Sequence, residues 1–86
     1  MPYIDKKLRT KYKKALEALP PVDSAGELNF LISKICNIYA SDSNHKFCYQ
    51  TLNDIIGALE GCKLEYYRRI VAPYEGVKIK ENGDVF

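Results

Sequence analysis

The chain has 86 residues, of which 47% are hydrophobic and 28% are charged, and its net charge at pH 7 is +2. This length predicts a single domain, residues 1–86, which buries only about 60–65% of the surface that it exposes when unfolded. A lone monomer would be marginally stable, so we expect a homo-oligomer, at least a dimer. The composition argues against disorder, and no apolar run is long enough for a membrane span.

The three cysteines, Cys36, Cys48 and Cys62, are an odd number and lack a C-x-x-C spacing. The N-terminus before them has no apolar stretch typical of a signal peptide, so we predict free thiols in a reducing cytosol. His45 and Cys48 form an H-x-x-C fragment, but structural zinc needs four ligands, usually in two close pairs. We therefore expect no metal and no other cofactor.

The first predicted helix lies in a basic segment, residues 1–21, and Pro20-Pro21 is expected to stop it. Residues 1–20 carry a net charge of +4, whereas residues 21–62 carry −3. The lysines are interpreted as a solvated helix face, and attraction to the acidic middle, within one fold or between subunits, is left open. The apolar positions recur at helical spacing: Ile4, Leu8, Tyr12, Ala15, Leu16 and Leu19.

The second predicted helix spans residues 24–41, and it begins at a capping box formed by Ser24 and Glu27. Its apolar stripe is expected to be buried core. The composition of the next four residues, 41–44, predicts a loop. The stripe consists of Leu28, Leu31, Ile32, Ile35, Cys36 and Tyr39.

The third predicted helix spans residues 49–72, and Pro73 is expected to end it. Lys63 lies near the middle of its apolar arc, where it either lays its methylenes on the core or points into a polar pocket. Gly57 and Gly61 share the opposite side, which favours close approach of another backbone, either helix 1 or a helix of a second subunit. A long helix that is packed on both sides is the main sequence argument for an oligomer. The arc is formed by Leu52, Ile55, Ile56, Leu59, Tyr66, Tyr67 and Ile70.

The final segment, residues 77–86, has a strand-like alternation followed by the Asn82-Gly83 pair that favours a two-residue hairpin turn. In that hairpin Glu81 would face Asp84, which is unfavourable unless a cation lies between them. The predicted fold class is therefore mainly α: three helices with a short C-terminal β-hairpin, in an oligomer.

No catalytic motif is present, so we expect a protein that is not an enzyme. Seven residues near the C-terminus form a candidate binding cluster for a nucleotide-like molecule. Arg68 and Arg69 would hold phosphates, and Tyr66 or Tyr74 would stack on a base. The alternative is that the tyrosines pack and the arginines pair with glutamates. The candidate ligand-binding residues are Lys63, Tyr66, Arg68, Arg69, Tyr74, Asn82 and Asp84, the last two contacting base or ribose.

Several stretches of the chain carry a family resemblance: GELNFLI at 26–32, YQTLNDIIGALE at 49–60, KLEYYRR at 63–69, PYE at 73–75 and ENGDVF at 81–86. Together they resemble an uncharacterised family of small bacteriophage and prophage proteins that end in an Asn-Gly-Asp-Val-aromatic tail. The C-terminal tail is the most specific part, although this chain has Phe86 where the family has tyrosine.

The resemblance implies a viral protein of phage origin that acts in the host cytoplasm. Small accessory phage proteins are often anti-defence factors, and one class sequesters nucleotide immune signals. The leading hypothesis is therefore a counter-defence factor that binds a nucleotide-derived signal without cleaving it. Two alternatives remain open: a protein–protein inhibitor of a host complex, and a nucleic-acid-binding protein that uses the basic first helix. The low net charge makes nucleic acid the less favoured partner.

Overall fold

The computed structural model describes residues 2–42 and 46–86. The described backbone is mainly helical, which confirms the helical part of the predicted fold. Ser43, Asn44 and His45 lie outside the described residues, and with them half of the loop predicted at 41–44 and the histidine of the H-x-x-C fragment. Ser41, the first residue of that predicted loop, is the last residue of α2. The helices are α1 (Lys6–Glu17), α2 (Ala25–Ser41), α3 (Tyr49–Tyr66) and α4 (Ala72–Asn82), and a π-helical segment, Tyr67–Val71, joins α3 to α4.

The described chain falls into two compact units. One unit comprises residues 3–56, and the other comprises Pro2 and residues 57–86. The boundary lies inside α3, so the first unit contains α1, α2 and the start of α3. The second unit contains the remainder of α3, the π segment and α4. The single domain expected for residues 1–86 stays a prediction.

The first two helices begin at side-chain caps. Asp5 accepts a hydrogen bond from the backbone N–H of Lys7 at 2.9 Å, and Ser24 Oγ accepts from the N–H of Glu27 at 3.0 Å. Each bond satisfies a donor that the first helical turn leaves free. The capping residue predicted at Ser24 is confirmed, while the Glu27 carboxylate meets the Ser24 hydroxyl at 3.2 Å. α1 ends at Glu17, ahead of the two prolines.

The stripe predicted as core on α2 is not buried. Leu28 is 51% exposed and Ile35 is 63% exposed, and no apolar side chain of the described residues is buried. The prediction was wrong for the single chain because helical periodicity identifies an apolar face but not the surface that covers it. The described part of the chain covers this face only in part, since Leu31, Cys36 and Tyr39 are half-buried.

The helical backbone continues through Pro73, where the sequence predicted a stop. Ala72 donates its N–H to the carbonyl of Tyr67, five residues back, and α4 begins at Ala72 without a side-chain cap. Proline in an ordinary α-helix clashes with the carbonyl four residues earlier. The π register just before Pro73 pairs an N–H with the carbonyl five residues back instead of four, and such π turns are a known way for a helix to accommodate an irregular residue.

The predicted C-terminal β-hairpin is not formed: the described residues contain no strand, and residues 77–82 belong to α4. Gly83 has a φ of 89° and donates its N–H to Ile79 at 2.8 Å. An Asn-Gly pair suits a helix end as well as a hairpin turn, because glycine adopts positive φ without steric cost. The alternation over four residues was too short to distinguish strand from helix.

Candidate ligand-binding segment

A groove of about 300 Å³ lies at the C-terminal end of α4, within the second unit. Gly83 turns the chain there, and Asp84 accepts a hydrogen bond from the N–H of Phe86 at 2.8 Å. Two of the seven candidate residues, Asn82 and Asp84, line this groove together. The full lining is Glu75, Lys78, Ile79, Asn82, Gly83, Asp84, Val85 and Phe86.

Carboxylates outnumber cations around the groove. Glu75 and Asp84 line it, and the ammonium of Lys78 forms an ion pair with Glu81 at 3.1 Å. The same ammonium lies 5.6 Å from the centre of the Tyr74 ring. Carboxylates accept hydrogen bonds and repel anions, so the groove suits sugar hydroxyls and base N–H groups better than phosphate. The predicted opposition of Glu81 and Asp84 disappears with the hairpin, because Glu81 pairs with Lys78.

A hydrogen bond connects the first residue of the π segment to α4. Tyr67 donates its hydroxyl to Glu75 Oε1 at 2.5 Å. This hydrogen bond, and then the negative charge of Glu75, raise the pKa of the Tyr67 phenol above its ordinary value. The bond spans eight residues, which places Tyr67 beside the helical turn that begins the groove.

Two of the candidate cations already have acidic neighbours one helical turn away. Arg68 forms an ion pair with Glu65, and the Lys63 ammonium lies 3.5 Å from Glu60 Oε1. The Lys63 side chain is 72% exposed, so it occupies neither of the two environments expected for it. The Arg68 side chain is 66% exposed, and such surface pairs contribute little to stability.

The remaining candidates are exposed on the same continuous helical stretch. Tyr66 is 61% exposed and Tyr74 is 62% exposed, and Arg69 is exposed as well. A helix rises 1.5 Å per residue, so Arg69 and Asn82 are about 20 Å apart along the helix axis. The structure therefore brings together Asn82 and Asp84, with Tyr74 about two turns before Asn82. Lys63, Tyr66, Arg68 and Arg69 lie farther toward the start of the same helical stretch.

Sequence reasoning missed Glu75 and Ile79 as members of this site. Once residues 72–82 are known to be helical, positions 75, 78, 79 and 82 fall at i, i+3, i+4 and i+7, the spacing of a single helix face. The strand interpretation placed them on alternating faces and concealed the relation.

A second polar cluster lies at the start of α3. Thr51, which is 6% exposed, donates its hydroxyl to the carbonyl of Lys46 and lies 3.6 Å from the sulfur of Cys48. Hydrogen bonds from Thr51, first from its backbone and then from its side chain, lower the pKa of the Cys48 thiol. The described residues contain no group of three or more His, Cys, Asp or Glu side chains arranged to hold a metal ion.

These features define a small, mainly helical protein with an exposed tyrosine–arginine segment and an acidic groove. No described helix is both long enough and apolar enough to cross a membrane. Over residues 1–85 the chain matches the model of a family described as Domain of unknown function (DUF6899), and it belongs to this uncharacterised family. Neither a curated protein nor a solved structure matches the chain.

Proposed function

We propose that this protein is a small bacteriophage accessory factor that binds a nucleotide-derived immune signal in the host cytoplasm without cleaving it. The observation that carries the proposal is the exposed Tyr66–Arg69 stretch on the same helical course as the groove. The phage origin and the counter-defence role follow the sequence resemblance of residues 26–86. The ligand chemistry follows the side chains.

The part of the ligand that each residue is proposed to bind follows from the charge of its side chain. Arg68 and Arg69 hold phosphates, since guanidinium groups donate forked hydrogen bonds to phosphate oxygens. Tyr66 or Tyr74 stacks on a base. Asn82 and Asp84 accept hydrogen bonds from ribose hydroxyls or base N–H groups in the acidic groove. Its volume of about 300 Å³ is at the lower end of the range for small-molecule sites.

The proposal includes a homo-oligomer for a geometric reason. About 20 Å of helix separates Arg69 from Asn82, the groove residue that is proposed to contact base or ribose. A compact nucleotide cannot bridge that distance on one chain, whereas two chains in contact can place the arginines of one copy beside the groove of the other. The site is therefore incomplete without a second copy.

The proposal is tested by calorimetric titration with cyclic dinucleotides and ADP-ribose derivatives. We expect one of them to bind below about 10 μM, which corresponds to roughly −7 kcal/mol. Arg68→Ala and Asn82→Ala should each weaken binding by tenfold or more. Lys80→Ala, which removes an exposed cation of α4 outside the proposed site, is the matched control. If no compound of the panel binds, the sequestration hypothesis is wrong, and a ligand recovered in altered form would refute the non-enzymatic part.

A protein-binding inhibitor is the second candidate, and the exposed apolar side chains of α2 favour it. Such a protein would bind a host complex through that face, with affinity unaffected by Arg68→Ala. Nucleic acid binding through the lysines of α1 is distinguished by a gel shift at low and physiological salt, because phosphate contacts weaken steeply with salt.

A further inference from the structure

We infer that the apolar face of α2 is the surface on which a second copy of this chain docks to complete the fold. This inference rests on the homo-oligomer of the proposed function and deepens it by naming the contact. The α2 face consists of Leu28, Leu31, Ile32, Ile35, Cys36 and Tyr39.

The α2 face is a continuous apolar surface by helical phase. At 100° per residue its six members fall within an arc of about 140°, and Ile38 lies at its edge. The only charged residues of α2, Glu27 and Lys34, lie outside the arc. Asn37 lies on the opposite side of the helix. A helix with so few charges is typical of one that is packed on its neighbours.

Half of the face is exposed in the single chain, while Leu31, Cys36 and Tyr39 are half-buried. Ile35 is 63% exposed, Leu28 is 51% exposed and Ile32 is 40% exposed. A neighbouring groove of about 220 Å³ shares Leu31 with the face and extends it toward the residues that precede α2. Its lining is mostly apolar: Pro20, Pro21, Val22, Glu27, Phe30 and Leu31.

The exposed area is large enough for a stable interface. The chain leaves 8006 Å² accessible to solvent, whereas a folded monomer of 9.8 kDa exposes about 5,200 Å². A standard protein interface covers about 800 Å² on each partner. The difference is spread over the whole chain, not over α2 alone, and is about three and a half times that value. An excess of this size is typical of obligate assemblies, in which folding and association are coupled.

A second copy fits this surface better than an unrelated partner. No apolar side chain of the described residues is buried, so the covering partner is required whenever the chain is folded. A second copy of the chain is present wherever the protein is made, so it is always available to cover the face. They are also complementary in charge, because residues 1–20 carry +4 and residues 21–62 carry −3.

The first test measures the mass of the native protein by light scattering from about 1 to 200 μM, together with the midpoint of thermal unfolding. We expect a multiple of the 9.8 kDa chain mass and a midpoint that rises with concentration, because association stabilises the folded state. A monomer that unfolds cooperatively at a concentration-independent temperature would overturn the inference, since the same chain would then supply the cover.

The second test locates the contact. Ile35→Asp places a charge on the face and should reduce the mass to that of one chain, while Asn37→Asp makes the same change in charge on the opposite side and should leave the mass unaltered. Ile35→Ala is the milder variant in case the aspartate variant does not fold, and it should raise the dissociation constant at least tenfold. An unchanged dissociation constant in Ile35→Ala would exclude the α2 face.

The two proposals fail separately. A native oligomer that dissociates on Ile35→Ala but binds none of the nucleotides supports the interface and refutes the sequestration function. A protein that binds a nucleotide as a monomer refutes the interface instead.

Discussion

Two proline sites in this chain have opposite effects on the backbone. α1 ends at Glu17, before Pro20-Pro21, and the next helix, α2, begins after its cap at Ser24. At Pro73 the helix continues, because the π segment ahead of it changes the hydrogen-bond register. Proline removes one donor and excludes one backbone arrangement. Whether it ends a helix therefore depends on whether the preceding turn can widen.

The largest expected effect comes from replacing Pro73 by alanine, with Pro20 as the comparison. Pro73→Ala should raise the free energy of unfolding by about 1 kcal/mol or more, because proline in a helix interior costs about 3 kcal/mol and the π register relieves part of that cost. Chemical denaturation at a fixed protein concentration measures the change. Pro20→Ala lies outside any helix and should change stability by less than about 0.5 kcal/mol. Equal effects at the two sites would contradict the comparison.

A smaller effect on stability is expected from removing the Ser24 cap of α2. Ser24→Ala removes the acceptor of the Glu27 N–H and should lower the free energy of unfolding by about 1 kcal/mol. Ser33→Ala is the matched control within the same helix. Its hydroxyl contacts only the neighbouring Asn29 side chain among the bonds described, so we expect no loss of stability. If both variants lose equal stability, the Ser24 bond does not act as a helix cap.

The smallest effect concerns the hydrogen bond that spans the π segment. The Glu75 carboxylate raises the pKa of Tyr67, and Glu75→Gln should lower that pKa toward the ordinary tyrosine value of about 10. NMR titration of the Tyr67 ring signals measures this shift separately from the other six tyrosines. Glu81→Gln, which removes a carboxylate paired with Lys78, should leave the Tyr67 titration unchanged.

The pH dependence of stability has a definite sign. A group whose folded-state pKa is raised stabilises the protein fully below its unfolded pKa, and this contribution is lost as the pH rises through the folded-state pKa. The Tyr67–Glu75 bond should therefore contribute at neutral pH and disappear in alkaline solution above about pH 10. A stability difference between native protein and Glu75→Gln that grows with pH in that range would contradict the assignment.

The sequence predicted the helical elements well where local signals are strong. The Ser24 and Glu27 cap was recognisable because its residue types and spacing have one common use. The hairpin predicted at the C-terminus was wrong because an Asn-Gly pair occurs both in hairpin turns and at helix ends. Four alternating residues are also compatible with the period of a strand and with that of a helix. The helix end predicted at Pro73 was wrong because proline is a clear sequence signal for a helix end, whereas a π turn has no comparable sequence signal.

The sequence predicted which types of residue the candidate site contains, but not which of them lie together. Asn82 and Asp84 share the groove, yet Glu75 joins them only because α4 is helical. The burial of α2 could not be predicted from the apolar pattern, since the pattern specifies that Leu28 and Ile35 need cover without specifying which molecule provides it.

The π segment also sets the direction in which α4 presents its side chains. A π turn inserts one residue without adding a turn, so every side chain after Val71 is rotated by about 100° relative to an uninterrupted α-helix. Removing a single residue between 67 and 71 would therefore re-aim the acidic groove around the helix axis while leaving its chemistry intact. The length of the π segment therefore determines the direction in which the groove faces. A change of one residue in that length would change which neighbouring surface the groove meets.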